Sequence, residues 1–182
     1  MGGGNAAAHK SLKLVRPDLN DVPVVQRILA GSAPGAKALF EEAMRLMNSG
    51  RFPEAREAFQ ELIKTYPDDK VKAPASWAIG LTYIQEGGTA NLHQAANQLL
   101  RFLDSFGSND EAPELVHAAM LDIPVILMEL MHTAPSAYER QAAAALAVKT
   151  ITAYLAKWPD SPQAPAAQAS LVEAHLFLTN PR

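Results

Sequence analysis

The chain has 182 residues, 48% hydrophobic and 19% charged, with a formal net charge of −3. That is enough for one domain or one repeat array with a real core, without the large basic field that holds nucleic acid. It contains no cysteine, which excludes disulfides, thiol catalysis and Cys-ligated zinc.

Charge is unevenly placed. Residues 1–32 carry four Lys/Arg against two Asp, and the remainder 12 Lys/Arg against 17 Asp/Glu, so a weakly basic arm precedes an acidic body. Residues 1–9 are rich in Gly, Ala and Asn, which predicts a mobile start. They lack the charged start and apolar core of a signal peptide. As it stands the chain reads as cytoplasmic; if an export segment was replaced by Met1 and its glycines, a periplasmic or envelope location is expected. The densest apolar patch, residues 123–131, is about half of a ~18-residue membrane span, so no direct span is expected.

Residues 10–32 interleave Leu12, Leu14, Val15, Leu19, Val22, Val24, Val25, Ile28 and Leu29 with Pro17 and Pro23. Leu12 and Leu14 alternate as in an extended piece, and residues 22–29 suit one or two helical turns, with Asp21 as a cap. So apolar an arm is expected to dock on its own domain or on a neighbour; Leu12, Leu14, Val15, Leu19, Val24, Val25, Ile28 and Leu29 are the docking residues. The predicted division is an arm at 1–32 and a helical repeat domain at 33–182.

From Ala36 the period turns helical. Leu39, Ala43, Leu46 and Met47 share one face, and Asn48-Ser49-Gly50 closes that helix. Pro53 opens a second, with Ala55, Phe59, Leu62 and Ile63 inward, and Pro67 stops it. A second pair is predicted over 74–85 and 92–106, joined by Gly87-Gly88, with Asn91-x-x-Gln94 in the form of a capping box. A third covers 113–131 and 136–158, where Ser136-x-x-Glu139 is another such box and Pro124 should kink the first helix. Its second helix is rich in alanine (Ala142, Ala143, Ala144, Ala145, Ala147), which allows close approach. A last helix over 165–178 stands without a partner.

One phrase recurs through these elements. Tyr66-Pro67-Asp68 precedes Ala73-Pro74, Phe106-Gly107-Ser108 precedes Ala112-Pro113, and Trp158-Pro159-Asp160 precedes Ala164-Pro165. An internal period means that one supersecondary unit is stacked on itself. The spacing grows from 40 residues (Tyr66 to Phe106) to 52 (Phe106 to Trp158), so the third unit is longer.

The first unit resembles a tetratricopeptide repeat. Leu39, Ala43 and Leu46 match its first helix, Ala55, Phe59 and Leu62 its second, and Pro67 its closing proline. The second unit matches through Trp77, Gly80 and Tyr83, then Ala95, Leu99 and Phe102. In the third, Ala119 stands where Gly80 stood, but Asp122 replaces the aromatic. Phe52-Pro53-Glu54-Ala55-Arg56-Glu57-Ala58-Phe59 with Tyr66-Pro67-Asp68, and the stretch from Trp158 through Pro165, look like repeats of bacterial envelope proteins. These are the outer-membrane-protein assembly lipoprotein BamD and the Tol-Pal coordinator family. The resemblance implies an all-α, short, right-handed solenoid of about three helix pairs plus a C-terminal helix, preceded by an extended N-terminal arm. It also implies a scaffold without catalytic residues.

The residues themselves offer no catalytic, cofactor or metal constellation. His9, His93, His117, His132 and His175 form no His-x-x-x-His pair. Asp68-Asp69 and Asn109-Asp110-Glu111 read as turn and cap residues rather than calcium ligands, and Gly87-Gly88 lacks the Lys-Ser/Thr of a phosphate loop. No cofactor and no enzymatic activity are expected.

In such an array the first helix of each pair lines the concave face. The resemblance places in a protein-binding groove Lys37, Phe40, Met44, Met47 and Asn48, then Trp77, Leu81, Ile84 and Gln85, then Val116, Met120 and Ile123. This set is apolar and suits an apolar or amphipathic segment; the alternative is that some of it faces neighbouring helices. In the last helix Leu171, Val172, Leu176, Phe177 and Leu178 cover more than one face, and Leu176 and Phe177 are the candidate oligomer contact. The expected function is an adaptor subunit of a bacterial assembly, binding other proteins or peptides. The alternative is a periplasmic adaptor gripping peptides or outer-membrane chains. Self-association would run through the arm or the last helix.

Overall fold

The computed structural model describes residues 12, 18–108, 110 and 112–180. Among the described residues there are eight α-helices, one 3-10 turn (Leu19–Asp21) and no strand. The helices are α1 (Pro23–Ala30), α2 (Pro34–Asn48), α3 (Phe52–Thr65), α4 (Lys72–Glu86), α5 (Thr89–Phe106), α6 (Pro113–Thr133), α7 (Ala137–Lys157) and α8 (Ala164–Thr179). From α2 onward each helix packs chiefly on the next, and α6 also touches α4 and α8. The pairs α2/α3, α4/α5 and α6/α7 therefore stack in chain order with α8 at the end, and α4, α6 and α8 adjoin along one side. This is the all-α repeat array expected from the sequence.

Local chemistry explains the boundaries. Proline occupies the first turn of α2, α3, α6 and α8, where its missing N–H costs nothing. α2 closes as the Gly50 and Arg51 N–H groups donate back to the Met47 and Leu46 carbonyls, at 3.0 and 2.9 Å. Tyr66, Phe106 and Trp158, the aromatics of the repeated phrase, are all half-buried against the core. The phrase is thus a device that pins each pair's second helix before the chain turns. Inside the pairs, Ala43 and Ala55 are fully buried, and the Phe40 ring meets Phe59 edge-on at 5.3 Å. At Gly80 a Cβ would stand 2.6 Å from Leu99 Cδ2, so only glycine lets α4 approach α5 this closely.

Several expectations need correction. Asn91 does not cap α5: the helix begins two residues earlier, after Gly87 and Gly88 at φ 75° and 83°. The Asn91 amide instead donates to the Gly87 carbonyl at 2.8 Å. Asp21 does not cap α1, whose N-cap is Val22; the Asp18 carboxylate caps the 3-10 turn through the Asn20 N–H. Ser136 does form its capping box with Glu139. α6 continues as one helix with Pro124 buried inside it. An 18-residue window of α6 has mean hydropathy 1.5, so this helix is long and apolar enough to cross a membrane, beyond what residues 123–131 suggested. Of that window 61% is buried inside the fold, where α5 and α7 flank it. Residues 1–9, Leu14 and Val15 lie outside the described residues.

Candidate protein-binding groove

The structure buries most of the predicted groove residues. Phe40, Met44, Met47, Trp77, Leu81, Ile84, Val116 and Ile123 are buried in the apolar core. Gln85 and Met120 are half-buried, while Lys37 and Asn48 stay exposed. Phe40 is turned into its own helix pair, its ring against Phe59.

The arm packs into the same core. Leu19, Val24, Val25, Ile28 and Leu29 belong to the same buried cluster. The polar contacts trace its course. The Leu12 N–H donates to the buried Ser170 Oγ of α8 at 3.1 Å. Asn20 shares a hollow with Glu41, Met44, Arg45 and Asn48 of α2 and with Ser49 just after it. Arg27 donates to the Glu114 carboxylate at the start of α6, at 3.2 Å. The Ala33 N–H then donates to Asp69 Oδ2 at 2.9 Å, in the turn before α4. A segment that only led into α2 would touch α2 alone; this one reaches three helices of the array that are not consecutive. Burial works against the Asp69 carboxylate, but N–H groups of Val71 and Ala33 and the Ser32 side chain outweigh it and hold it below the ordinary range.

Two polar groups here escaped the sequence reading. The Trp77 Nε1–H of α4 is buried without a well-formed hydrogen bond. It lies against Asp122 of α6, whose carboxyl is driven up to about 7 by burial, with the indole N–H offsetting part of that rise. The only sequence signal was an acid where the repeat pattern asks for an aromatic. At the opposite edge Tyr154, fully buried, donates to Ser161 Oγ at 2.6 Å and lies 3.1 Å from His117 Nε2. Burial holds the His117 imidazole below its usual value, and Trp158 meets it edge-on at 4.7 Å. Among the described residues no group of three or more His, Cys, Asp or Glu could hold a metal ion.

At the C-terminal end Leu176 and Val172 are 60% and 57% exposed. Phe177 is half-buried, its ring edge-on to His132, which sits 2.8 Å from Glu173.

The helix pair α2/α3 and the turn after it are the part of this architecture that carries a family signature. Residues 36–69 match the tetratricopeptide repeat. This repeat is a non-enzymatic fold that mediates protein–protein interaction. The match begins at Ala36 and ends at Asp69, the residue that ties the arm's end to the turn before α4. No curated protein matches the chain.

Proposed function

We propose that this chain is a non-enzymatic scaffold that holds another protein on the face formed by the first helices of its pairs. The observation that carries this reading is the course of an amphipathic segment along the first helices: the arm meets α2 at Asn20 and α6 through Arg27, and its Leu19, Val24, Val25, Ile28 and Leu29 are buried. Aliphatic, aromatic and Met side chains are the groups that hold such segments in grooves. The wording shared with envelope repeats, from Phe52 through Phe59 and from Trp158 through Pro165, supports an adaptor subunit of a bacterial assembly, with a periplasmic peptide-gripping adaptor as the alternative.

The test is in-cell cross-linking of the full chain followed by mass spectrometry. Partner cross-links should concentrate on Lys37 and Lys72, at the starts of α2 and α4. Cross-links confined to α3, α5 and α7, or a chain without any stoichiometric partner, would overturn the reading. A spread of unrelated exported chains at the same lysines would favour the peptide-gripping alternative.

A further inference from the structure

We propose that residues 18–30 are a built-in stand-in for the partner: the first-helix face accepts an amphipathic helix with two aliphatic pairs one turn apart and a cation between them, and a partner gains the face by displacing the arm. This rests on the scaffold reading and names the chemistry of what it binds.

The arm itself supplies the template. In α1 Val24 and Val25 are buried, and one turn later so are Ile28 and Leu29, while Gln26, Arg27 and Ala30 are exposed. That is the i, i+4 pattern of a helix laid into a groove. The cation has a place: Arg27 reaches Glu114 in the first turn of α6. There a carboxylate already favours the helix N-terminus, so an incoming positive charge completes a favourable triad.

The attachment is also one that a partner can replace. α1 has only eight residues and no side-chain cap, and so short a helix does not stand alone in water. Its ion pair is exposed on both sides, at 61% and 51%, so the pair sets register more than strength. What keeps the arm seated is its apolar burial together with its high effective concentration, being part of the same chain. Simple departure would uncover the apolar surface against which Leu19, Val24, Val25, Ile28 and Leu29 are buried; replacement by a helix of the same pattern covers it again. A partner is therefore selected for resembling the arm.

The probe is a fluorescent synthetic peptide of residues 18–32, titrated by anisotropy into full-length chains. Against a Val25→Asp/Ile28→Asp chain, whose own arm is weakened, it should bind at least tenfold more tightly than against the unaltered chain. Arg27→Glu, an exposed change that spares the core, should raise peptide affinity about threefold, and adding Glu114→Arg should abolish that gain. Equal affinity for all folded chains, or no binding to any, overturns the proposal; should the double variant fail to fold, the Arg27→Glu pair decides alone. Partner cross-links at Lys37 and Lys72 without peptide binding would sink the stand-in and leave the scaffold standing. Peptide binding without any cellular partner would do the reverse.

Discussion

Asp122 is the residue whose chemistry is least like its neighbours'. Its carboxyl is raised to about 7 by burial, partly offset by the Trp77 N–H, whereas in an unfolded chain an Asp ionises near pH 4. Between those values the folded chain keeps a proton that the unfolded chain has lost, so stability must fall as pH rises. The contribution is fully present below about pH 4, is lost through about pH 7, and amounts to roughly 4 kcal/mol over the window. Asp69, held low, acts in the opposite sense only under more acidic conditions. Asp122→Asn should therefore flatten the profile between pH 5 and 7 and unfold at higher urea at pH 8, with little difference at pH 4. An unchanged slope would mean that the carboxyl ionises normally.

Gly80 gives a second residue-scale prediction with competing terms. Alanine in mid-helix gains about 1 kcal/mol of helix propensity over glycine. Its Cβ, however, would lie 2.6 and 2.9 Å from Leu99 Cδ2 and Cγ, and Leu99 is fully buried. Overpacking of this kind costs about 1–3 kcal/mol, so Gly80→Ala should destabilise by about 1–2 kcal/mol in urea unfolding. Stabilisation would show that α5 can shift away.

At the scale of elements, two segments of the same written form behave differently, which makes a direct comparison available. Ser136-x-x-Glu139 is a working cap: Ser136 Oγ accepts from the Glu139 N–H at 3.1 Å, and Glu139 accepts from the Ser136 N–H at 3.1 Å. Asn91-x-x-Gln94 lies inside α5. Ser136→Ala should cost about 1 kcal/mol, and Asn91→Ala less than half of that, measured by urea unfolding. Equal costs would contradict the assigned start of α5. The comparison also explains what was legible. Helix existence followed from apolar period and proline position, both local properties, and all seven helices of the repeat domain lie where that period placed them. The start of α5 was not legible, because two glycines with positive φ turned the chain earlier than the polar signal suggested. Most of the residues placed in the groove are buried. The course of the arm over the array depends on contacts such as Leu12 to Ser170 and Arg27 to Glu114, far apart in sequence, which no local pattern encodes.

At the scale of the molecule, those same contacts alter how a stacked array should unfold. In a simple solenoid each unit touches only its neighbours, so the ends open first and independently. Here one segment is tied to α8 by the Leu12–Ser170 hydrogen bond, lies beside α2 at Asn20, and is paired to α6 through Arg27. It links three helices that are not consecutive and makes them share one opening event. Loosening the arm should then lower protection at a distance. In native-state hydrogen exchange of the full chain, Val25→Asp/Ile28→Asp should speed exchange in α2, α6 and α8, though none of these helices is altered. α3, α5 and α7, which the arm's hydrogen bonds do not reach, should change least. If faster exchange stays within residues 18–30, the arm is a passenger on an array that is already stable. If it spreads to α8, more than 130 residues away along the chain, the arm is part of what makes the repeats one cooperative unit, and a partner that displaces it changes the stability of the whole array.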